Sequence, residues 1–159
     1  MALLLERGII DETGCFDDLS EDPLAEKYLE DDRFMLTDTL YLSQKDVRQF
    51  QLAKAAISAG ILTLCDDAGV LPEAVQNLYI AGGLGFYLPQ KSALGTGIIP
   101  ADFEGKVRVI GNSGLAGAMM CLNADMRERA SMIAASIRIC ELNNCPGFSD
   151  RFVEAMCFE

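Results

Sequence analysis

The sequence predicts an α/β domain in which short, mostly parallel strands are flanked by helices. Two stretches share one pattern. Leu78-Tyr79-Ile80-Ala81 runs into Gly82-Gly83-Leu84-Gly85, and Val107-Arg108-Val109-Ile110 runs into Gly111-Asn112-Ser113-Gly114. In each, an apolar strand breaks into glycines and a helical segment follows, the order expected of a parallel sheet with crossover connections. The third observation is capacity: half of the 159 residues are hydrophobic, enough for one compact core.

From the start, Ala2 to Arg7 has helix-forming leucines and is closed by Gly8, yet no N-cap precedes it, so the chain is expected to begin inside an element of a longer parent. Asp11 to Asp32 is expected to be an acidic surface loop, holding at most a short helix from Leu24 to Leu29 after Pro23. Arg33 to Leu36 and Thr39 to Leu42 alternate around Thr37-Asp38 as a small hairpin or two edge strands would. Ser43 and Asp46 form a variant capping box that opens a helix from Gln44 to about Asp67. Its apolar stripe is read as Val47, Phe50, Ala53 or Lys54, Ile57, Ile61 and Leu64, with Lys54 more at home on the surface. Pro72 to Gln76 is a helical turn, and Pro89 to Leu94 a short helix closed by Gly95 and Gly97. The small residues from Gly114 to Ala118 suit a helix packed tightly on the strand it leaves. A long helix from about Asp125 to Leu142 and a short one from Ser149 to Met156 complete the chain.

Charge and composition exclude several function classes. Of the net -11, Asp11 to Asp32 contributes -9, from ten acids against Lys27, leaving -2 for the rest. Such a chain repels phosphate backbones, so nucleic acid is not expected as a partner. No apolar run approaches the roughly 20 residues of a membrane span, and Met1 to Leu5 is too short for a signal peptide, so neither a membrane nor export is expected and the location read is cytoplasmic. The absence of histidine removes Ser-His and Cys-His catalysis and imidazole ligation. Cys15, Cys65, Cys121, Cys140, Cys145 and Cys157 contain no Cys-x-x-Cys pair and are read as reduced, mostly buried thiols. Cys140 and Cys145 are the closest two, and two thiolates alone make a poor metal site.

In an open α/β sheet ligands bind off the carboxyl ends of the strands, where both glycine turns would lie. Two phosphate motifs come close there and fail. Gly83-Leu84-Gly85 lacks the third small residue of a dinucleotide fingerprint, with Phe86 and Tyr87 crowding the site. Gly85 to Ser92 fits the G-x-x-x-x-G-K-S pattern except that Gln90 replaces the second glycine and Pro89 lacks an N–H. The strand-end geometry favours a nucleotide or phosphate ligand at this edge.

The sequence resembles the ASKHA superfamily of sugar kinases, actin and heat-shock chaperones, and more closely the C-terminal part of the reductive activators of corrinoid proteins. The matching runs are Leu42 to Val47, Gln51 to Ile57, Leu78 to Gly85, Ile98-Ile99-Pro100, Val109 to Ser113 and Arg151 to Met156, which span nearly the whole chain. The resemblance implies residues 1–159 as one half of an actin-like, ribonuclease H-like ATPase domain, the missing N-terminal half of the same parent being its structural partner. It implies a parent that uses ATP with Mg²⁺ and an iron-sulfur cluster, on a domain absent from this chain, to reduce an inactive corrinoid protein. It assigns Gly82, Gly83 and Gly85 to the adenosine turn. A looser parallel with the chaperones adds Gln51, Lys54 and Ser58, whose spacing puts them on one helical face. A bulky residue at Gly83 is expected to abolish ATP binding and to add left-handed strain of about 1–2 kcal/mol. Leu84 and Phe86 are bulkier than the superfamily's usual residues. The fragment alone is expected to be a poor ATPase, since the phosphate-positioning acids would lie upstream. The alternative is a non-enzymatic interaction domain that keeps the sheet without the nucleotide, and a homodimer is compatible with either.

Overall fold

A computed structural model describes residues 1–158, apart from the side chains of Leu84 and Phe86. Its spine is a helix, α3 (Gln44–Asp67), opened by the expected capping box. The Ser43 hydroxyl receives the Asp46 N–H at 3.3 Å, and the Ser43 N–H donates to the Asp46 carboxylate at 2.9 Å. The Ser43 hydroxyl, then its backbone N–H, hold the Asp46 pKa below the ordinary carboxylate value. At about 1.5 Å per residue α3 is long enough to serve two cores, one at each end.

The first core gathers α1 (Ala2–Glu6), Ile9, Ile10, Phe16, and α2 (Pro23–Tyr28) around the start of α3. Gly8 takes the left-handed conformation that ends α1, as expected of its position. Asp22 caps α2 by accepting the Leu24 N–H at 2.8 Å. An antiparallel sheet of β1 (Leu29–Glu30), β2 (Arg33–Met35) and β3 (Tyr41–Ser43) covers it, with Phe34 opposite Leu42 and buried. Within the acidic stretch all ten carboxylates stay exposed or half-exposed, while Phe16 and Ala25 turn inward to join this core. The C-terminal Phe158 closes it, stacked on Phe50.

The second core lies under the far end of α3. Ile61, Leu62 and Cys65 pack with Leu78 and Ile80 of β4 (Leu78–Ala81), Val107 of β5 (Val107–Gly111), and Ala93 of α5 (Gln90–Gly95), together with Ile99 and Phe103. The strands are parallel, as the repeated pattern required, pairing Leu78 with Val107 and Ile80 with Val109. The register slips after Ile80, so that Ala81 faces Gly111.

The stripe expected on α3 is corrected by the structure. Val47 is buried, but Ile57 and Leu64 are exposed, and the inward face is Val47, Gln51, Lys54, Ala55, Ser58, Ala59, Gly60 and Thr63. Small and polar side chains win that face because the neighbouring C-terminal segment approaches closely and presents carbonyls to be satisfied. The terminal helices also differ. α7 (Ala124–Ser136) stops six residues early, at Ile137, and α8 (Phe148–Glu154) begins after Gly147 in the left-handed conformation. None of the six cysteines is fully buried; five are half-buried and Cys157 is exposed. Among the described residues no helix is long and apolar enough to cross a membrane.

Candidate functional site

The carboxyl edge of the parallel pair carries the candidate site. A glycine with positive φ stands at the carboxyl end of each strand, Gly82 at 82° directly after β4 and Gly111 at 64° as the last residue of β5, a conformation that favours residues without a Cβ. The register slip sets Gly111 beside Ala81, so the two turns are neighbours. Each leads at once into a helix, α4 (Gly82–Tyr87) from the first and α6 (Ser113–Met120) from the second. The glycines are therefore the first turn of α4 and not a loop, which corrects the expected left-handed strain at Gly83: that conformation belongs to Gly82. Asn112 caps α6 by accepting the Leu115 N–H at 3.0 Å.

The three turn glycines differ in what surrounds them. A Cβ on Gly82 or Gly83 would meet no atom within 4 Å. One on Gly85 would stand 2.2 Å from Ile80 Cγ2. Close backbone approach at Gly85 is thus to its own strand, which locks α4 onto β4. Gly85→Ala is expected to destabilise the chain by about 1–3 kcal/mol through overpacking. Ile80→Ala in the same molecule removes the clashing methyl, so urea unfolding of the double variant should show less than the summed losses; strict additivity would contradict the locking role. The Leu84 and Phe86 side chains lie outside the described residues.

Around this edge, apolar surface is uncovered. Tyr79 on β4 is 62% exposed, and Val109 and Ile110 on β5 are exposed as well. A two-stranded parallel sheet with an open face is unusual, because parallel sheets are normally covered on both sides. The tight packing expected of α6 is not observed: among the described residues α6 and α7 bury none, and Leu115, Met119, Met120, Leu122, Met132 and Ile133 all face outward. Between these helices runs an apolar groove of about 590 Å³.

Gln51, Lys54 and Ser58 sit elsewhere on α3. Gln51 is 1% exposed; its amide donates to Thr13 O at 2.9 Å and Met156 O at 2.8 Å, and its oxygen accepts from Arg48 at 2.8 Å. Lys54, placed on the surface by the sequence reading, is instead 2% exposed. Its ammonium donates to Cys157 O at 2.6 Å and lies over the Phe158 ring. A Cβ on Gly97 would come within 2.9 Å of that ammonium, so Gly97 makes room for it. Lys54 and Ser58 share a cavity of about 160 Å³ with Leu62, Asp102, Arg151 and Glu154, and the glycine turn does not line it. The turn glycines and the α3 residues are therefore two separate groupings. The sequence reading missed the tail latch, although polar residues at positions 51, 54 and 58 of a helix whose inward face starts at Val47 were the available signal.

Residues 1–159 match the protein family described as the C-terminal domain of RACo, the ASKHA domain. The chain is 30% identical over 171 residues to the corrinoid activation enzyme RamQ of Eubacterium limosum, which covers 96% of this chain and 28% of that protein. It also resembles a solved structure, a reductive activator for corrinoid, iron-sulfur protein, with a TM-score of 0.82 and 31% identity over 99% of this chain and 26% of the other. The chain thus spans little more than a quarter of the length of the relatives it matches.

Proposed function

The chain belongs to the RACo C-terminal ASKHA-domain family, and from that premise we propose that it forms the adenosine side of an ATP cleft in a longer reductive activator of a corrinoid protein. The main support is the carboxyl edge of β4 and β5, where two adjacent glycine turns face open space and Gly83 has room beside it. A purine or ribose can approach such a backbone closely because no Cβ stands in the way. Gly82 and Gly83 supply the wall, and Gly85 fixes the helix that carries it.

Gln51, Lys54 and Ser58 serve as positioning residues in this proposal. Two of them tie α3 to the C-terminal tail, and the far end of α3 packs beneath β4. Among the described residues no group of three or more carboxylates and thiols is suited to a cation. The proposal assigns Mg²⁺, the phosphates and the iron-sulfur cluster to the rest of the parent, where ATP binding and hydrolysis would drive electron delivery to the corrinoid. The uncovered face of β4, β5, α6 and α7 is where the missing half would dock, since its exposed leucines and methionines need a partner to leave water. That same face favours the second reading, an interaction domain without nucleotide.

Photolabelling separates the two. Irradiating the longer parent with an azido derivative of ATP is expected to label the tryptic peptide Ala55–Lys91, which contains the glycine turn, and excess ATP should remove the label. A folded parent labelled only elsewhere, or not at all, would favour the interaction domain.

A further inference from the structure

The segment joining α7 to α8 is fastened to the end of α3 on both sides. Arg138 donates to the Asp67 carboxylate at 2.6 Å, and Arg151 in the last turn of α8 pairs with Asp66. Between these anchors a 3-10 turn, Leu142–Asn144, folds the chain back, with the Cys145 N–H donating to Leu142 O at 3.0 Å. The fold-back brings the Cys140 and Cys145 sulfurs to 3.0 Å from each other. Two thiolates on a tetrahedral zinc at about 2.3 Å from the metal would stand about 3.8 Å apart, so the spacing suits a sulfur–sulfur bond better than a shared ion. Both carboxylates that line this site are engaged: Glu141 accepts from Asn144 at 2.8 Å, and Asp67 pairs with Arg138.

We propose that Cys140 and Cys145 are a reversible dithiol/disulfide site that exchanges with small-molecule disulfides such as oxidised glutathione and, when closed, staples the connection between α7 and α8. The site opens to solvent beside Asp67, Arg138 and Asn144 in a cavity of about 430 Å³, large enough to admit the reagent. In the first step the Cys145 thiolate attacks one sulfur of the small disulfide, forming a mixed disulfide and releasing one thiolate. In the second the Cys140 sulfur attacks the Cys145 sulfur, its proton passes to the departing thiol, and the two electrons end on the two released small thiols. The order follows from the pair itself. The hydrogen bond to Cys145, then burial and the nearby negative charge, push the Cys140 thiol up to about 11, while Arg138 opposes the rise. Capping Cys145 removes the largest of these causes and frees Cys140 for the second step. This site is independent of nucleotide binding.

The test is to equilibrate the chain in glutathione buffers of increasing oxidation, quench with acid, alkylate and map tryptic peptides. Peptide Ile139–Arg151, which carries both thiols, is expected to become two hydrogens lighter and resistant to alkylation before the other four cysteines change, and dithiothreitol should reverse it. In Cys140→Ser the glutathione adduct at Cys145 should accumulate at least about tenfold over wild type, because its resolving thiol is gone. Alkylation of both thiols while exposed Cys157 takes up glutathione would overturn the proposal. So would equal adduct at Cys145 in both proteins.

Discussion

Replacing Gln51 with leucine is expected to destabilise the chain by about 2–4 kcal/mol. Leucine keeps the volume at a position only 1% exposed, so little of the loss comes from a cavity. What goes is a two-pronged donor: the Gln51 amide joins Thr13 O, near the start of the chain, to Met156 O, near its end. Thr13 O keeps the Arg48 guanidinium at 2.7 Å, whereas Met156 O loses its side-chain donor and Arg48 loses the Gln51 oxygen. Met156 is half-buried, so stranding its carbonyl costs at most about 1–3 kcal/mol, the figure for a buried acceptor, and each further lost hydrogen bond about 0.5–1.5. The C-terminal residues then lack one fastening to α3, while Lys54 still donates to Cys157 O and Phe158 still stacks on Phe50. Urea unfolding should show a lower midpoint at unchanged slope, with proteolysis of the residues after Glu154 enhanced. A change below about 0.5 kcal/mol would mean that the Gln51 amide contributes little and that Lys54 and the buried Phe158 hold the tail.

That latch also shows where sequence reasoning reached its limit. Local signals were sufficient wherever neighbouring residues decide the outcome: the Ser43–Asp46 capping box, the Gly8 stop and the hairpin around Thr37 all form where the sequence places them. The parallel pairing of Leu78–Ala81 with Val107–Gly111 was legible too, since both runs share the strand-then-glycine pattern. The inward face of α3 was not. It depends on residues about a hundred positions away, and an apolar tally prefers Ile57 and Leu64 to Gln51 and Lys54. Packing of α6 failed for a related reason, because Gly114 and Gly117 permit close approach without supplying anything to approach. At the candidate site the Gly-Gly turn was legible, but the division of labour within it was not. Only the three-dimensional position of Ile80 separates Gly85, which cannot take a Cβ, from Gly83, which can.

This division makes Gly83 the cleanest probe of the nucleotide proposal. In the longer parent, Gly83→Leu should lower ATP affinity at least about a hundredfold, about 2.7 kcal/mol, because the leucine would fill the space assigned to adenosine. Folding should survive the change. The Cβ meets no atom within 4 Å, the backbone is not left-handed, and leucine favours an exposed helical position over glycine by up to about 1 kcal/mol. Calorimetric titration of ATP into the wild-type and Gly83→Leu parents, each checked by thermal melting, is therefore the most direct measurement. A hundredfold weaker binding at an unchanged or higher melting temperature is the expected result. Equal ATP affinity in the two folded proteins would contradict the assignment of this turn to the adenosine wall.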